Sequence, residues 1–327
     1  MAEIAHRFVE ANGVRLHLAE AGNGPLVLFC HGFPESWYSW RHQLAALSEA
    51  GYHAIAPDMR GYGQTDRPEE IDRYTILHLV GDMVGILDAL GEQQAVVIGH
   101  DWGAPVAWHC AFLRPDRFRA VVGLSVPFFP RGSTRPISAM PQTDSSWFYQ
   151  LYFQKPGVAE AELERNPRDA IRRVLYSASG DVPRKPGKPE GDRAPGMVPR
   201  TGGFLTRTID PERLPPWLTE ADIDFYASEF AQAGFRGGLN WYRNIDRNWE
   251  LMAPFAGLKV TVPALYIAGD RDLVVGFPRV DQLIANLKLF VPKLTQTIML
   301  PGCGHWTQQE RAPEVNAAIL AFLRELG

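Results

Sequence analysis

Short apolar runs of five to seven residues alternate along the chain with longer segments in which apolar residues recur at helical spacing. The runs predict buried strands at 25–30, 53–57, 95–99, 120–126, 264–269 and 295–301. The periodic segments predict helices at 75–90, 103–113 and 313–325. A further pair of strands is predicted near the N-terminus, as a hairpin around Asn12-Gly13. Strands that alternate with helices are typical of an α/β fold, with a mostly parallel sheet flanked by helices.

The alternation lapses between about residues 128 and 255. This stretch contains aromatic and helix-forming segments, and its part richest in Pro, Gly and charge, 184–200, predicts an exposed loop. We interpret the stretch as a mostly helical cap inserted into one α/β domain. The first core part is then 1–130, the cap is 131–254 and the second core part is 255–327. Ligands in such sheets bind at the carboxyl ends of the strands, so the cap is expected to cover the functional site.

Composition narrows the class of function. The 327 residues are 46% hydrophobic and 21% charged, as in ordinary globular proteins, and the formal net charge of −4 predicts neither nucleic acid nor a membrane as a partner. No apolar run approaches the ~20 residues that span a bilayer, and the N-terminal segment lacks the pattern of a secretory signal. The three cysteines are widely spaced, which predicts no disulfide, no metal site and a cytoplasmic protein.

Candidate chemistry begins in the segment VVIGHDWGAPVAW, residues 96–108. A β-branched run enters a Gly-x-Asp-x-Gly turn and a helix-like segment leaves it, which is the frame of the nucleophile elbow Gly-x-Ser-x-Gly with Asp101 in place of the serine. An aspartate before a helix also serves as an N-cap, but capping does not need the two flanking glycines. Glycines at these positions allow a sharp strand-to-helix turn without Cβ clashes, which favours Asp101 as a nucleophile.

A nucleophile in such an elbow is followed along the chain by an acid and then by a histidine. His305 is the candidate base, because its Gly-containing loop lies between the last apolar run and the final predicted helix. Both Asp270 and Asp272 follow the preceding strand. The Gly-x-x-Asp spacing favours Asp272, because it lets the loop turn away before it presents the carboxylate. Asp270 is expected to cap a helix or to pair with Arg271.

Two backbone N–H groups are expected to form an oxyanion hole. One comes from Phe33 in the loop FCHGFPESW, residues 29–37, and the other from Trp102, directly after the nucleophile. Pro34 cannot donate, and it restricts Phe33 to an extended conformation. The glycine-rich turn RGYGQT at 60–65 lacks the frame of a phosphate-binding loop and is interpreted as structural.

Taken together and in this order, HGFP, GHDWGA, GDRD and GCGHW resemble the soluble epoxide hydrolases of the α/β-hydrolase superfamily, and the resemblance covers essentially the whole chain. It implies the α/β-hydrolase fold, with a mostly parallel sheet flanked by helices and an inserted, mostly helical cap. It also implies an activity that uses no cofactor. We expect a single catalytic domain, without the N-terminal phosphatase domain that the larger animal members carry.

The resemblance also assigns residues in the cap. It places the two ring-opening tyrosines of the family at Tyr149, in SSWFYQLYF, and at Tyr242, in GGLNWYRN. Tyr152 and Tyr226 are nearby alternatives, and Gln150 is expected to add a polar contact to the substrate. The reference pKa of a tyrosine is ~10, so both phenols are expected to stay protonated at neutral pH and to donate to the oxygen of an epoxide.

An aspartate nucleophile suits attack on a saturated carbon. A serine would end as an ether that water cannot readily cleave, whereas Asp101 ends as an alkyl ester. We expect His305 to activate the water that hydrolyses this ester, and Asp272 to orient His305. The N–H groups of Phe33 and Trp102 are expected to stabilise the oxyanion, and the same two residues to line the substrate site. The predicted activity is that of an epoxide hydrolase, which converts an oxirane and water to a vicinal diol.

Two other functions stay open at this point. Haloalkane dehalogenases use the same aspartate followed by tryptophan, but a halide leaves without a proton, so the paired cap tyrosines argue against this activity. A non-catalytic hydrolase-like protein would bind a ligand without turnover, and the presence of every expected catalytic residue type argues against that function. The expected partners are a small apolar epoxide and water, because four aromatic residues predict an apolar pocket: Phe128, Phe129, Trp147 and Phe148. The sequence leaves open whether copies of the chain form a homo-oligomer.

Overall fold

The computed structural model describes residues 3–183 and 190–327, and these residues form ten strands. They are β1 (Ala5–Ala11), β2 (Val14–Ala21), β3 (Leu26–Cys30), β4 (His53–Pro57), β5 (Ala95–His100), β6 (Phe118–Leu124), β7 (Ser146–Phe148), β8 (Met197–Pro199), β9 (Ala264–Gly269) and β10 (Leu294–Leu300). Eight of them form one sheet in the order β1-β2-β4-β3-β5-β6-β9-β10, and β7 and β8 form a separate pair. The β1–β2 and β2–β4 pairs are antiparallel, and every other pair of the large sheet is parallel.

The same ranges contain twelve α-helices. They are α1 (Arg41–Glu49), α2 (Ile76–Leu90), α3 (Gly103–Leu113), α4 (Tyr149–Tyr152), α5 (Val158–Leu163), α6 (Pro167–Ser177), α7 (Glu220–Ala233), α8 (Arg236–Arg243), α9 (Ile245–Leu251), α10 (Val280–Ala285), α11 (Thr307–Glu310) and α12 (Ala312–Glu325). Six of the helices, α4 to α9, lie between β6 and β9 in the chain. None of the helices in the described ranges is long and apolar enough to cross a membrane.

The predicted mostly parallel α/β sheet is confirmed. Each of the six apolar runs coincides with a strand of the large sheet, and the hairpin around Asn12 and Gly13 is β1–β2. The three predicted helices agree with α2, α3 and α12 to within one residue at each end. Both ends of α2 follow from local chemistry. At the start, Thr75 accepts a hydrogen bond from a backbone N–H of the first turn, and after the last turn Gly91 takes the left-handed conformation, φ +73.

The central strands are buried on both faces, which explains why they read as unbroken apolar runs. Every residue of β3, β5 and β9 is buried. Alternate side chains of β3 enter different apolar clusters, Leu26 and Leu28 on one face of the sheet and Val27 and Phe29 on the other. Helices α2 and α3 complete the first cluster, and α1 and α12 complete the second.

The prediction of an exposed loop at 184–200 is wrong at Met197–Pro199. Residues 184–189 lie outside the described residues, but Met197–Pro199 is β8 and pairs antiparallel with β7. Met197 and Val198 are buried. The abundance of proline, glycine and charge around these two apolar residues concealed a strand whose backbone groups are satisfied by β-pairing.

The topology also positions the site. Strands β3, β5, β6 and β9 are parallel neighbours, so their carboxyl ends meet at one edge of the sheet. The segments that follow these strands begin at His31, Asp101, Ser125 and Asp270. Candidate catalytic residues from distant parts of the chain are therefore brought to the same edge.

We expect the loss of one buried ion pair to destabilise this fold. Arg60, after β4, donates to the Asp82 carboxylate of α2 at 2.8 and 2.5 Å, and both side chains are buried. Asp82→Asn should lower the free energy of unfolding by about 3–5 kcal/mol, because it leaves the guanidinium charge buried without its partner. Urea unfolding at neutral pH measures the change.

The matched control is Asp88→Asn on the same helix. The Asp88 carboxylate pairs with Arg117 at 2.8 Å, but it is 63% exposed. A pair exposed in this way contributes about 0–1 kcal/mol. Equal losses of stability in the two variants would contradict the assignment of a structural role to the buried pair.

Candidate active site

Asp101 lies at the tip of the turn between β5 and α3. Its φ of +50 places it in the left-handed region, which few residues other than glycine occupy. A Cβ on Gly99 would lie 2.0 Å from the carbonyl oxygen of Gly103, and a Cβ on Gly103 would lie 2.0 Å from that of Cys30. No side chain fits at such distances, so the Gly-x-Asp-x-Gly pattern follows from the close approach of β5, α3 and β3. This packing holds Asp101 in a conformation that costs about 1–3 kcal/mol.

The loop after β3 receives the Asp101 carboxylate. The N–H of Phe33 donates to Oδ1 of Asp101 at 2.8 Å. A Cβ on Gly32 would lie 2.3 Å from the same oxygen, so only glycine leaves room for the carboxylate there. Trp102 immediately precedes α3, and its indole packs edge-on against the ring of Tyr242, with centroids 5.2 Å apart.

His305 lies between two carboxylates. Its Nε2 is 3.3 Å from Oδ2 of Asp101, and its Nδ1 is 3.0 Å from Oδ1 of Asp272. All three side chains are buried. Asp270 lies apart from this group, where its carboxylate accepts the N–H of Gly302 at 2.8 Å. Of the two aspartates that follow β9, the structure therefore pairs Asp272 with the histidine.

The two carboxylates control the charge of the histidine. Burial alone would lower the pKa of His305, but Asp272 and Asp101 raise it well above its ordinary value. Burial would likewise raise the pKa of Asp272, but the charge and hydrogen bond of His305 lower it. At neutral pH His305 is therefore an imidazolium that donates from both ring nitrogens while Asp101 is charged.

Ser125, which follows β6, is a further neighbour of the histidine. Its Oγ is 3.0 Å from Nδ1 of His305, the nitrogen that also faces Asp272. Ser125 is fully buried with φ +67, and its carbonyl oxygen accepts the hydroxyl of Tyr266 at 2.6 Å. The backbone constraint directs the serine hydroxyl to the acid–base pair.

Two phenols lie within the electrostatic reach of Asp101, that of Tyr149 at the start of α4 and that of Tyr242 in α8. Their ring centroids are 5.9 Å apart, and the ring of Tyr242 also packs edge-on against Phe33 at 5.6 Å. Burial raises the pKa of Tyr149, and the charge of Asp101 raises it further. Burial, Tyr149 and Asp101 together raise the pKa of Tyr242. Both phenols are therefore protonated at neutral pH.

The two alternative tyrosines have other partners. Tyr152 donates its hydroxyl to Glu162 at 2.8 Å. The hydroxyl of Tyr226 is 2.8 Å from Oγ of Ser39 and 3.1 Å from Oε1 of Gln309. These bonds give each phenol a partner other than Asp101.

Two glutamines position the phenols. Gln150 donates from Nε2 to the hydroxyl oxygen of Tyr149 at 3.1 Å, so its contact in the structure is with this tyrosine. Gln154 donates from its amide nitrogen to the carbonyl oxygens of Gln150 and Tyr242, at 2.9 and 3.0 Å. It thereby joins α4 to α8. The sequence did not predict this role of Gln154, because no local pattern marks a side chain that bridges two distant helices.

A second buried network joins the loop after β3 to the end of β5, the loop of His305 and α11, and the sequence alone did not predict it. Glu35 accepts the N–H of Gly32 at 2.9 Å and lies 2.8 Å from Nδ1 of His100. Nε2 of His100 is 2.7 Å from the carbonyl oxygen of His305, and Gln308 donates to Glu35 at 2.9 Å. Burial would raise the pKa of Glu35, but His100 and the hydrogen bonds lower it to about 2. The sequence signal for this network is that Glu35 directly follows the motif HGFP and that His100 lies within GHDWGA.

An apolar cavity of about 230 Å³ adjoins the site through Trp102. Phe128 and Phe129 line it, as the sequence predicts, whereas Trp147 and Phe148 pack against other residues. Asp101, Tyr149 and Tyr242 do not line this cavity. Trp102 lines it and also packs against Tyr242, so it separates the cavity from the candidate site.

Known proteins are similar to this chain over its whole length. Residues 25–312 match the family described as alpha/beta hydrolase fold. The chain is 45% identical to epoxide hydrolase A of Mycobacterium tuberculosis, with 100% of this chain and 99% of the relative covered. It is 44% identical to epoxide hydrolase 1 of Siraitia grosvenorii, with 99% and 100% covered. The crystal structure of epoxide hydrolase A from Mycobacterium thermoresistibile has 48% identity, a TM-score of 0.90 and 98% of each chain covered.

We expect Asp101→Asn to lower the pKa of His305, because it removes one of the two carboxylate charges that raise it. NMR titration of the imidazole C–H protons measures the change, with the signal identified by its loss in His305→Gln. Asp88→Asn, on the outside of α2, is the control and should leave the titration unchanged. An unchanged His305 pKa in Asp101→Asn would contradict the arrangement described above.

We expect Glu35→Gln to lower the free energy of unfolding by about 1–3 kcal/mol at neutral pH, because buried donors lose a charged acceptor. The pKa of Glu35 falls from 4.5 to about 2 on folding, so its stabilising effect is present above pH 4.5 and is lost as the pH falls towards 2. Urea unfolding of parent and variant at neutral and acid pH should show a difference that shrinks in acid. The control is Glu49→Gln at an exposed position. A difference that grows in acid would disprove this role.

Proposed function

This chain belongs to the epoxide hydrolases of the α/β-hydrolase fold family, and on this premise we propose that it converts an oxirane and water to a vicinal diol through an alkyl ester of Asp101. The observation that carries the proposal is the pair of phenols, Tyr149 and Tyr242, beside a carboxylate nucleophile. An opening epoxide develops an alkoxide that needs a proton, whereas a departing halide does not. Two protonated phenols near Asp101 are therefore suited to an epoxide.

In the first step the epoxide oxygen accepts hydrogen bonds from Tyr149 and Tyr242. Oδ2 of Asp101 attacks a ring carbon, the carbon–oxygen bond of the ring breaks, and its electron pair passes to the epoxide oxygen, which takes a proton from a phenol. Oδ1 stays with the N–H of Phe33 and becomes the carbonyl oxygen of the ester. Ester formation removes the charge of Asp101 and so lowers the pKa of His305, which releases the proton that the tyrosinate regains.

In the second step neutral His305 takes a proton from water, and the resulting hydroxide attacks the carbonyl carbon of the Asp101 ester. The oxyanion accepts hydrogen bonds from the N–H groups of Phe33 and Trp102, each worth about 3 kcal/mol. Asp272 holds Nδ1 of the imidazolium. Collapse of the intermediate releases the diol, whose leaving oxygen takes the proton of His305, and leaves Asp101 as a carboxylic acid. The acid proton then passes to His305, which restores the Asp101 carboxylate and the imidazolium.

We propose that 131–254 acts as a cap on a core formed by 1–130 and 255–327. Supporting this division, helices α4 to α9 all lie between β6 and β9 and contribute both phenols. The nucleophile, the acid and the histidine all come from loops of the large sheet. The core then supplies displacement and hydrolysis, and the cap supplies the protons for ring opening.

The substrate that we propose is an epoxide with an apolar substituent. The cavity beside Trp102 has Phe128 and Phe129 among its walls, and aromatic walls favour hydrocarbon groups. Water is the second substrate. We also propose a cytoplasmic location, since the three cysteines are buried and unpaired, as is common for proteins of reducing compartments: Cys30, Cys110 and Cys303.

A paired turnover assay on the purified protein tests the activity. One arm offers aryl and aliphatic epoxides and measures diol, and the other offers bromoalkanes and measures bromide. We expect diol without bromide, and no diol from Asp101→Ala. Joint replacement of Tyr149→Phe and Tyr242→Phe should lower kcat/KM by about 10²- to 10⁴-fold, because it removes both proton donors.

Tyr152→Phe is the matched control for the tyrosine variants, because this phenol bonds to Glu162 instead of facing the nucleophile. It should keep the activity of the parent. Bromide without diol would show a dehalogenase instead. Turnover in neither arm, together with epoxide binding by Asp101→Asn, would indicate a ligand-binding protein.

A further inference from the structure

Glu310, at the end of α11, binds the backbone on both sides of the catalytic histidine. Its Oε2 accepts the N–H of Gly304 at 2.7 Å, and its Oε1 accepts the N–H of Trp306 at 3.0 Å. Oε2 also accepts the N–H of Gly180, from the segment after α6, at 2.9 Å. The side chain is buried. One carboxylate therefore holds three backbone donors, two of which flank His305.

Helix α6 and the segment after it make further bonds to the histidine loop and to the loop after β9. The N–H of His305 itself donates to the carbonyl oxygen of Ala178 at 2.9 Å. The indole of Trp306 donates to the carbonyl oxygen of Leu175 at 2.7 Å, and Arg271 donates to that of Gly180 at 2.8 Å. His305 and Trp306 are thus bonded to the C-terminal end of α6 and to the segment after it.

Two glycines allow this contact. A Cβ on Gly180 would lie 2.1 Å from the carbonyl oxygen of Gly302, and a Cβ on Gly304 would lie 2.1 Å from the nitrogen of Gly180. The two backbones therefore meet without any side chain between them, close enough for both to reach the carboxylate of Glu310. The two glycines therefore allow direct backbone contact between the histidine loop and the segment that follows α6.

We propose that Glu310 is a positioning residue that sets His305 for hydrolysis of the ester and that couples this step to the docking of the inserted helices through Gly180. The proposal rests on the two-step function proposed above. Glu310 bonds to no group that takes part in ring opening, which needs Asp101, Tyr149 and Tyr242. Its partners flank only His305, which gives up its proton after the ring has opened and acts as the base of the second step. The loss of Glu310 should therefore slow hydrolysis and leave the rate of ester formation unchanged.

Two substitutions separate geometry from charge. Glu310→Gln keeps the length of the side chain, but its amide nitrogen faces backbone N–H groups, so one side of the histidine loop loses its acceptor. Glu310→Asp keeps the charge but is one methylene shorter, so it cannot span the same three donors. If position is what matters, both variants should be impaired, whereas an effect of charge alone would be rescued in Glu310→Asp. Glu314→Gln, at an exposed position of α12, is the control.

The experiment is a rapid-quench measurement on the full chain with a styrene-type aryl epoxide. Mass spectrometry of the peptide that contains Asp101 gives the fraction of ester against time, and hence the separate rates of ester formation and hydrolysis. We expect Glu310→Gln and Glu310→Asp to slow hydrolysis by about 10- to 100-fold, with ester accumulating at the parent rate. The amplitude of ester also reports the fraction of folded, active protein in each sample.

Hydrolysis at the parent rate in both Glu310 variants would overturn the inference, and so would parallel loss of the two rates. A parent rate of hydrolysis in Glu310→Asp alone would show that the charge of residue 310 matters and not its position, and it would also overturn the inference. Should neither variant fold, Arg271→Gln removes the neighbouring bond to Gly180, and an unchanged hydrolysis rate in that variant overturns the coupling. A parent enzyme that forms no ester on Asp101 would instead contradict the proposed function itself.

Discussion

The site depends on one backbone constraint, the left-handed conformation of Asp101 at the tip of the β5–α3 turn. An aspartate does not favour this conformation, and it persists because β5, α3 and the loop after β3 pack so closely that Gly99 and Gly103 leave no room for side chains. The turn lifts the carboxylate out of the sheet. One of its oxygens then meets the N–H of Phe33 and the other meets His305. The contacts of Asp101 with Phe33 and His305 therefore depend on the strained backbone at this one residue.

Buried charge is the second organising feature, and each buried carboxylate has partners that offset the cost of its desolvation. Asp272 has the imidazolium of His305, Glu35 has His100 and a backbone N–H, and Glu310 has three backbone N–H groups. Each of these carboxylates has at least one partner in a loop of the site, and Glu35 also bonds to the end of β5 and to α11. They therefore hold in place the irregular segments whose own backbone hydrogen bonds cannot do so.

The chemistry is divided between two parts of the structure. The edge of the large sheet carries the proposed nucleophile, base and acid, and the segment between β6 and β9 carries the phenols of Tyr149 and Tyr242. In the proposed mechanism, the charge of Asp101 helps to raise the pKa of His305, so His305 becomes a base only after the ester forms. The order of the two steps then follows from electrostatics, since the first step removes the charge that keeps the base protonated.

The sequence by itself determined the class of fold, because strands buried on both faces must be apolar throughout and amphipathic helices must repeat every three or four residues. It also indicated Asp101, His305 and Asp272, since an elbow and the loops after parallel strands leave local patterns. Tyr149 and Tyr242 came from resemblance to a family, because nothing local distinguishes a proton-donating phenol from a packing one. Tertiary structure alone showed that 190–200 contains a buried strand, and that Glu35, His100, Gln154 and Glu310 hold the site together. Their roles depend on distances between segments far apart in the chain, and no local pattern of residues encodes such distances.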